Sequence, residues 1–229
     1  MPADLHSLEA WLPWLLQASD SQFPSGSYAH SMGLEELTQH GVVPNAEGLE
    51  RFIHHQILPG LCAFELPFLG QAHRAAACED VEELHRLDEE LEAWKLAAEL
   101  RQASRQIGSR RLALVRKLQP GALIETYAST SPPSHHLIVG ALELRHVPPV
   151  AALAVFAFQT IAGYTSAAMK LVRMGQERSQ SILRGAMEAL APRLPQIAAD
   201  EPERIGWFNP LLEIASMRHA RARERLFIS

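Results

Sequence analysis

The sequence predicts an all-α protein folded as a single compact bundle of about ten helices over residues 1–229. Three observations predict it. Apolar residues recur at helical spacing in most segments of the chain. No stretch sustains period-2 alternation, and no Asn-Gly or Asp-Gly hairpin signal occurs. With 229 residues, 47% hydrophobic and 21% charged, the composition is globular and the chain is long enough to bury a core. No repeat at a fixed period is visible, which argues against a solenoid.

The elements follow in order. Leu8, Trp11, Leu12, Leu15 and Leu16 fall at i, i+3, i+4, i+7 and i+8, one face of an amphipathic helix. Residues 20–26 break it with Pro24 and Gly26. A second helix is expected over about 27–40, stopped by Gly41. Asn45 is placed to cap a third, with Leu49, Phe52, Ile53 and Ile57 as its apolar stripe. Pro59-Gly60 should interrupt or kink that helix before the pattern resumes over 65–77. Residues 79–92 hold eight acids and one base, with Val81, Leu84, Leu87 and Leu91 inward, and read as a solvated acidic face. Pro120-Gly121 and residues 129–134 bracket a short element, and a helix over about 134–146 follows. Pro148-Pro149 opens the most apolar helix, roughly 149–174, whose small residues permit close helix approach. Residues 192–202 form a polar connection, and 209–229 start as a helix and finish in an Arg-rich tail. Both chain ends are expected to be loose.

Charge and composition narrow the function. A net charge of −5 argues against a dedicated nucleic-acid binder. Residues 101–117 carry six bases and no acid, yet no aromatic is interleaved for stacking. Two cysteines, Cys62 and Cys78, build no disulfide framework and suit a reducing compartment. Asp4 stands where an export signal wants basic residues, and the apolar run 147–161 is short for a membrane span. The expectation is a cytoplasmic protein with no membrane partner.

Enzyme signatures are missing: there is no phosphate loop, dinucleotide fingerprint, zinc-protease helix or nucleophile elbow. Ser25 and Ser27 beside His30 read better as turn or cap residues than as nucleophiles. Eleven histidines raise metal binding, but the pairs His54-His55 and His135-His136 point about 100° apart if helical. No catalytic residue, cofactor or metal site is expected, and direct metal binding by dispersed histidines, whose imidazoles suit nickel, zinc and copper, is kept as the alternative.

Three stretches remain distinctive. The first contains Pro24, Gly26, Tyr28, Ser31, Gly33, Leu34 and Glu35; the second Lys170, Leu171, Val172, Gly175 and Gln176. The third contains Ile214, Ala215, Ser216, Arg218 and His219, then Arg225, Leu226, Phe227 and Ser229. In this order and spacing the chain resembles the urease accessory protein UreF family, with Glu65-Leu66-Pro67, Glu99-Leu100-Arg101 and Gly108 also matching its pattern. It departs at Arg173 and Met174, at the Arg-rich stretch after His219, and at Ile228. The resemblance implies a non-catalytic helical adaptor for nickel insertion into apo-urease. Such an adaptor is a homodimer that binds UreD (also called UreH) and, through it, recruits and modulates the GTPase UreG.

On that resemblance, Glu35, Glu65, Lys170, Arg218, His219, Arg225, Leu226 and Phe227 are the candidate partner-binding residues. Gly26, Gly33, Gly163, Tyr164, Gly175 and Gln176 are candidates for architecture or a dimer contact. Leu226 and Phe227 are apolar residues in a charged tail, which suits a segment of about 209–229 that orders on a partner. Docking of that tail on its own core is the other reading.

Overall fold

The computed structural model describes residues 9–200, 202 and 205–229, and every regular element among them is helical. Leu8, the first residue of the expected N-terminal stripe, lies outside the described residues. Helix α1 (Leu12–Ser19) is anchored by the Trp14 indole, which donates to the Glu143 carbonyl at 2.9 Å. Its buried Leu15 and Ala18 form a small second core with Leu144, Val147 and Ala152.

The expected helix over 27–40 is divided. A 3₁₀ turn, Ser27–Ala29, is followed by a bend at 30–33, and α2 covers only Leu34–Gln39. Gly26, Met32 and Gly33 all adopt positive φ, which stops a right-handed helix from running through. The amides of Ser31 and Met32 bond instead to the carbonyl of Ser229.

Asn45 caps the next helix as expected, accepting from the Gly48 amide at 2.9 Å. Segments α3 (Ala46–Phe52), α4 (Leu58–Gly60) and α5 (Leu66–Ala77) then form one rod, joined by π-helical turns at Ile53–Ile57 and Leu61–Glu65. Pro59 does not break it. Proline lacks an amide hydrogen and crowds the carbonyl four residues back, and the wider turns on either side absorb both problems.

Helix α6 (Val81–Trp94) starts on an Asp80 cap and packs on α5. Its acidic face is not wholly solvated. Asp88 is fully buried and accepts from the Tyr127 hydroxyl at 2.8 Å and from the amides of Ser134 and His135 at 2.6 and 2.9 Å. Helix α7 (Ala98–Leu118) runs beside α9 (His136–Glu143), with α8 (Ala122–Ser129) between them in sequence. Four of the six bases over 101–117 are paired: Arg101 and Arg105 with Glu92, Arg111 with buried Glu143, and Arg116 with Glu125.

Helix α10 (Pro149–Leu171) touches α1, α2, α3 and α5, as well as α11 (Gln176–Leu190) and α12 (Leu194–Ala199). At 23 residues it is long and apolar enough to cross a membrane, longer than the run the sequence suggested. Its buried Ala152, Leu153, Phe156, Ala157, Ile161 and Ala168 belong to the protein interior instead. The last helix, α13 (Pro210–His219), is capped by Asn209 and packs on α2 and α7.

Candidate functional site: the docked tail and the cavity beside it

Residues 226–229 are not free; they lie in a groove made by 29–35. The Ile228 amide donates to the Ala29 carbonyl at 2.8 Å, and the Ser31 hydroxyl donates to the Ser229 carbonyl at 2.9 Å. His30 Nδ1 lies 2.8 Å from the Ser229 hydroxyl. Glu35 does most of the holding. Its carboxylate accepts from the amides of Leu226 at 2.8 Å and Phe227 at 3.0 Å, and from His219 Nε2 at 3.1 Å. Burial pushes the Glu35 carboxyl up, but the two amides and His219 outweigh it and hold it below the usual carboxylate value.

Sequence reasoning did not assign Glu99 a role in this site, although its segment matched the family pattern. From the first turn of α7 it accepts from His219 Nδ1 at 3.0 Å and from the Ser216 hydroxyl at 3.1 Å, with Arg225 at 3.4 Å. His219 is therefore clasped between two carboxylates inside the protein. Phe227 fills the remaining gap, 5% exposed, with the Lys170 ammonium 5.2 Å from its ring centroid. Burying that ring contributes on the order of 2 kcal/mol.

The structure thus brings together Glu35, Lys170, His219, Arg225, Leu226 and Phe227. Glu35, His219 and Phe227 are buried in the intramolecular clasp, so the tail docks on its own core and offers no side chain of theirs to a partner. Leu226 remains 62% exposed and Ile228 52%. Arg218 and Arg225 are also exposed.

Glu65 is elsewhere. It lies on the second π turn and lines a cavity of about 690 Å³ that also touches His30, Tyr164, His136 and Lys95. There it is partly exposed and faces the cavity, on a different element from the tail clasp. Burial raises its carboxyl above the usual value while Lys95 pulls it down, and burial with Glu65 likewise raises the Tyr164 phenol. Tyr164 is a core residue packed edge-on to Phe52 at 5.8 Å. Gly163 beside it is exposed, with nothing within 4 Å of where a Cβ would stand.

Gly26 and Gly33 hold the left-handed bends that shape the groove. Gly33 also sits against Ala215 and Leu212 of α13. Gly175 and Gln176 start α11, exposed and away from the clasp. Among the described residues no group of three or more histidine, cysteine or acidic side chains is arranged to hold a metal ion. Ser25 and Ser27 bond to each other at 3.1 Å, which fits their reading as turn residues.

Comparison with known proteins bears on this arrangement. The UreF family model matches residues 43–187. A urease accessory protein UreF of Paenarthrobacter aurescens is 31% identical over 94% of this chain and 96% of its own length. One from Bacillus sp. (strain TB-90) is 30% identical over 94% of this chain and 97% of its own. Most of the chain is matched, and the chain belongs to the UreF family of urease accessory proteins.

Proposed function

We propose that this chain is a non-catalytic adaptor of urease maturation, a cytoplasmic homodimer that binds UreD and through it recruits UreG for nickel insertion into apo-urease. One observation carries the reading. Tyr28, Met169, Leu226 and Ile228 expose apolar side chains on three adjoining elements: the 3₁₀ turn, the end of α10 and the docked tail. Exposed apolar clusters with charged neighbours, here Lys170 and Arg225, suit a protein partner. The adaptor comprises one helical domain, and its segment 209–229 faces the partner after docking, through Leu226, Ile228, Arg218 and Arg225. Helix α10 supplies the dimer face through Phe158 and Gly163, both exposed.

The test is co-purification with UreD and UreG followed by size-exclusion light scattering. The expected result is a complex with two copies of this chain, which UreG joins only when UreD is present. Leu226→Asp with Ile228→Asp should weaken UreD binding by about a hundredfold, since two exposed anchors of this size are each worth about 1–2 kcal/mol, while the helical content stays unchanged. Wild-type binding by the double variant would remove this surface from the contact. A chain that stays alone and carries stoichiometric nickel would favour direct metal binding.

A further inference from the structure

His135 and His136 are adjacent, and adjacent helical side chains diverge. Here they converge. His135 is the extended residue before α9, at φ −60° and ψ 141°, while His136 is the first residue of the helix. Both imidazoles reach the same hydroxyl: His135 Nδ1 and His136 Nδ1 each lie 2.9 Å from Ser104 Oγ on α7. On its far side His135 Nε2 lies 2.9 Å from Glu92 Oε2. The His136 ring is fixed by stacking on Phe156, centroids 5.6 Å apart and 11° from parallel.

The donors in this chain are determined by its ends. Glu92 is a carboxylate and accepts, so His135 donates from Nε2 and accepts at Nδ1. The Ser104 hydroxyl then donates to His135, and its lone pair accepts the Nδ1 hydrogen of His136. His136 is left with a bare Nε2. Every hydrogen bond points the same way, from His136 outward to Glu92. The inner members, Ser104 and His136, line the cavity. The outer member, Glu92, has a side chain 32% exposed and is also bridged to Arg101 and Arg105.

We propose that Glu92, His135, Ser104 and His136 form a proton relay between solvent and the cavity, with Nε2 of His136 as its inner terminal. The steps balance. A proton taken up at His136 Nε2 releases the Nδ1 hydrogen to Ser104, whose own hydrogen passes to His135 Nδ1. The Nε2 hydrogen of His135 passes to Glu92, which gives a proton to water. One proton enters, one leaves, and both imidazoles end neutral. Burial, then the nearby Lys95 ammonium, holds both rings below the ordinary imidazole value. Arg105 acts in the same direction on His135, as do Arg111 and His30 on His136, whereas Glu92 alone favours the charged form of His135. Neutral rings are the form that can accept at one nitrogen while donating at the other. The inner terminal of the relay faces a cavity whose wall carries Glu65, so that an acid held there exchanges its proton with Glu92 through the four side chains.

The experiment is nitrogen-15 NMR of the imidazoles in the full-length chain, with proton exchange rates measured at each ring. The expected tautomers are Nε2–H at His135 and Nδ1–H at His136. In Ser104→Ala the exchange of the His136 hydrogen should slow by about tenfold or more, equivalent to about 1.4 kcal/mol on the transfer barrier, because the hydroxyl that carries the proton outward is gone. Ser104→Thr, which keeps the hydroxyl, should restore it. A merely structural tie gives the opposite sign, because a ring that loses its partner exchanges faster. Should Ser104→Ala not fold, Glu92→Gln at the half-exposed end keeps an oxygen for His135 but cannot carry the proton. It should slow His136 exchange with both tautomers intact. Faster or unchanged exchange in these variants, or an Nε2–H tautomer at His136, overturns the relay.

Discussion

Glu35 combines burial with three donors from His219, Leu226 and Phe227, and this makes it the most consequential single carboxylate at the tail. Replacing it with glutamine keeps the shape but turns one acceptor oxygen into an amide that faces an N–H. Hydrogen bonds to a charged acceptor are worth about 1.5–3 kcal/mol each. We expect Glu35→Gln to weaken tail docking by about 3 kcal/mol while the helices stay intact. Hydrogen exchange at the Leu226 and Phe227 amides reads this directly: both should lose protection, with little change at α10. Retained protection would show that Phe227 packing alone holds the tail. Glu35 was visible in the sequence as part of a distinctive motif. Its partners were not, because His219, Leu226 and Phe227 lie 184 to 192 residues away and no local pattern links them.

At the scale of elements, α7 and the start of α9 meet at Gly108. A Cβ there would stand 1.8 Å from the Ser134 carbonyl oxygen and 2.7 Å from the His136 nitrogen. Both are backbone atoms that cannot move aside, since Ser134 sits at φ 59° and its amide is tied to Asp88. Gly108→Ala should cost about 3 kcal/mol or more, seen as a lower urea midpoint with an unchanged slope. A loss under 1 kcal/mol, the ordinary cost of a surface change, would show that α9 shifts freely. The same junction explains a misreading. Residues 79–92 look like a solvated acidic face because helical periodicity counts acids as outward, and nothing local marks Asp88 as the acceptor for a turn 46 residues on. The cap at Asn45 and the stop at Gly41 were legible because each acts on its own neighbours. The π turns around Pro59 were not, since a proline signals only that the regular bond is lost.

Across the whole molecule, His30, His73, His135 and His136 are all held below the ordinary imidazole value, with burial the largest cause in each. The sign follows. As pH falls through about 6.5 the unfolded chain takes up protons that the folded chain refuses, so stability present at pH 7 declines. Each such histidine adds up to about 1.4 kcal/mol per pH unit until its own lowered value is reached. Glu35 adds a further loss in stronger acid, as pH drops below the ordinary carboxylate range toward its lowered value. The carboxyls of Glu65, Asp88 and Glu143, held above the ordinary value, act in the opposite direction and offset part of this loss. Urea midpoints should fall from pH 7 to 6 to 5 as the four rings outweigh them, and a rising series would contradict the burial of these rings. The all-helical class was readable from periodicity alone. The cavity was not, because its wall is assembled from residues as distant as Ser19 and Glu213.

The pairing of Ile228 with Ala29 and of Ser229 with Ser31 joins segments about 200 residues apart in sequence. Helices assemble from neighbours within microseconds, whereas so distant a contact waits for the surfaces it joins to exist. The receiving groove needs α2, α7 and α13 already packed. Seating of residues 226–229 therefore depends on those helices being in place, and releasing it would uncover residues 29–35 while leaving every helix formed.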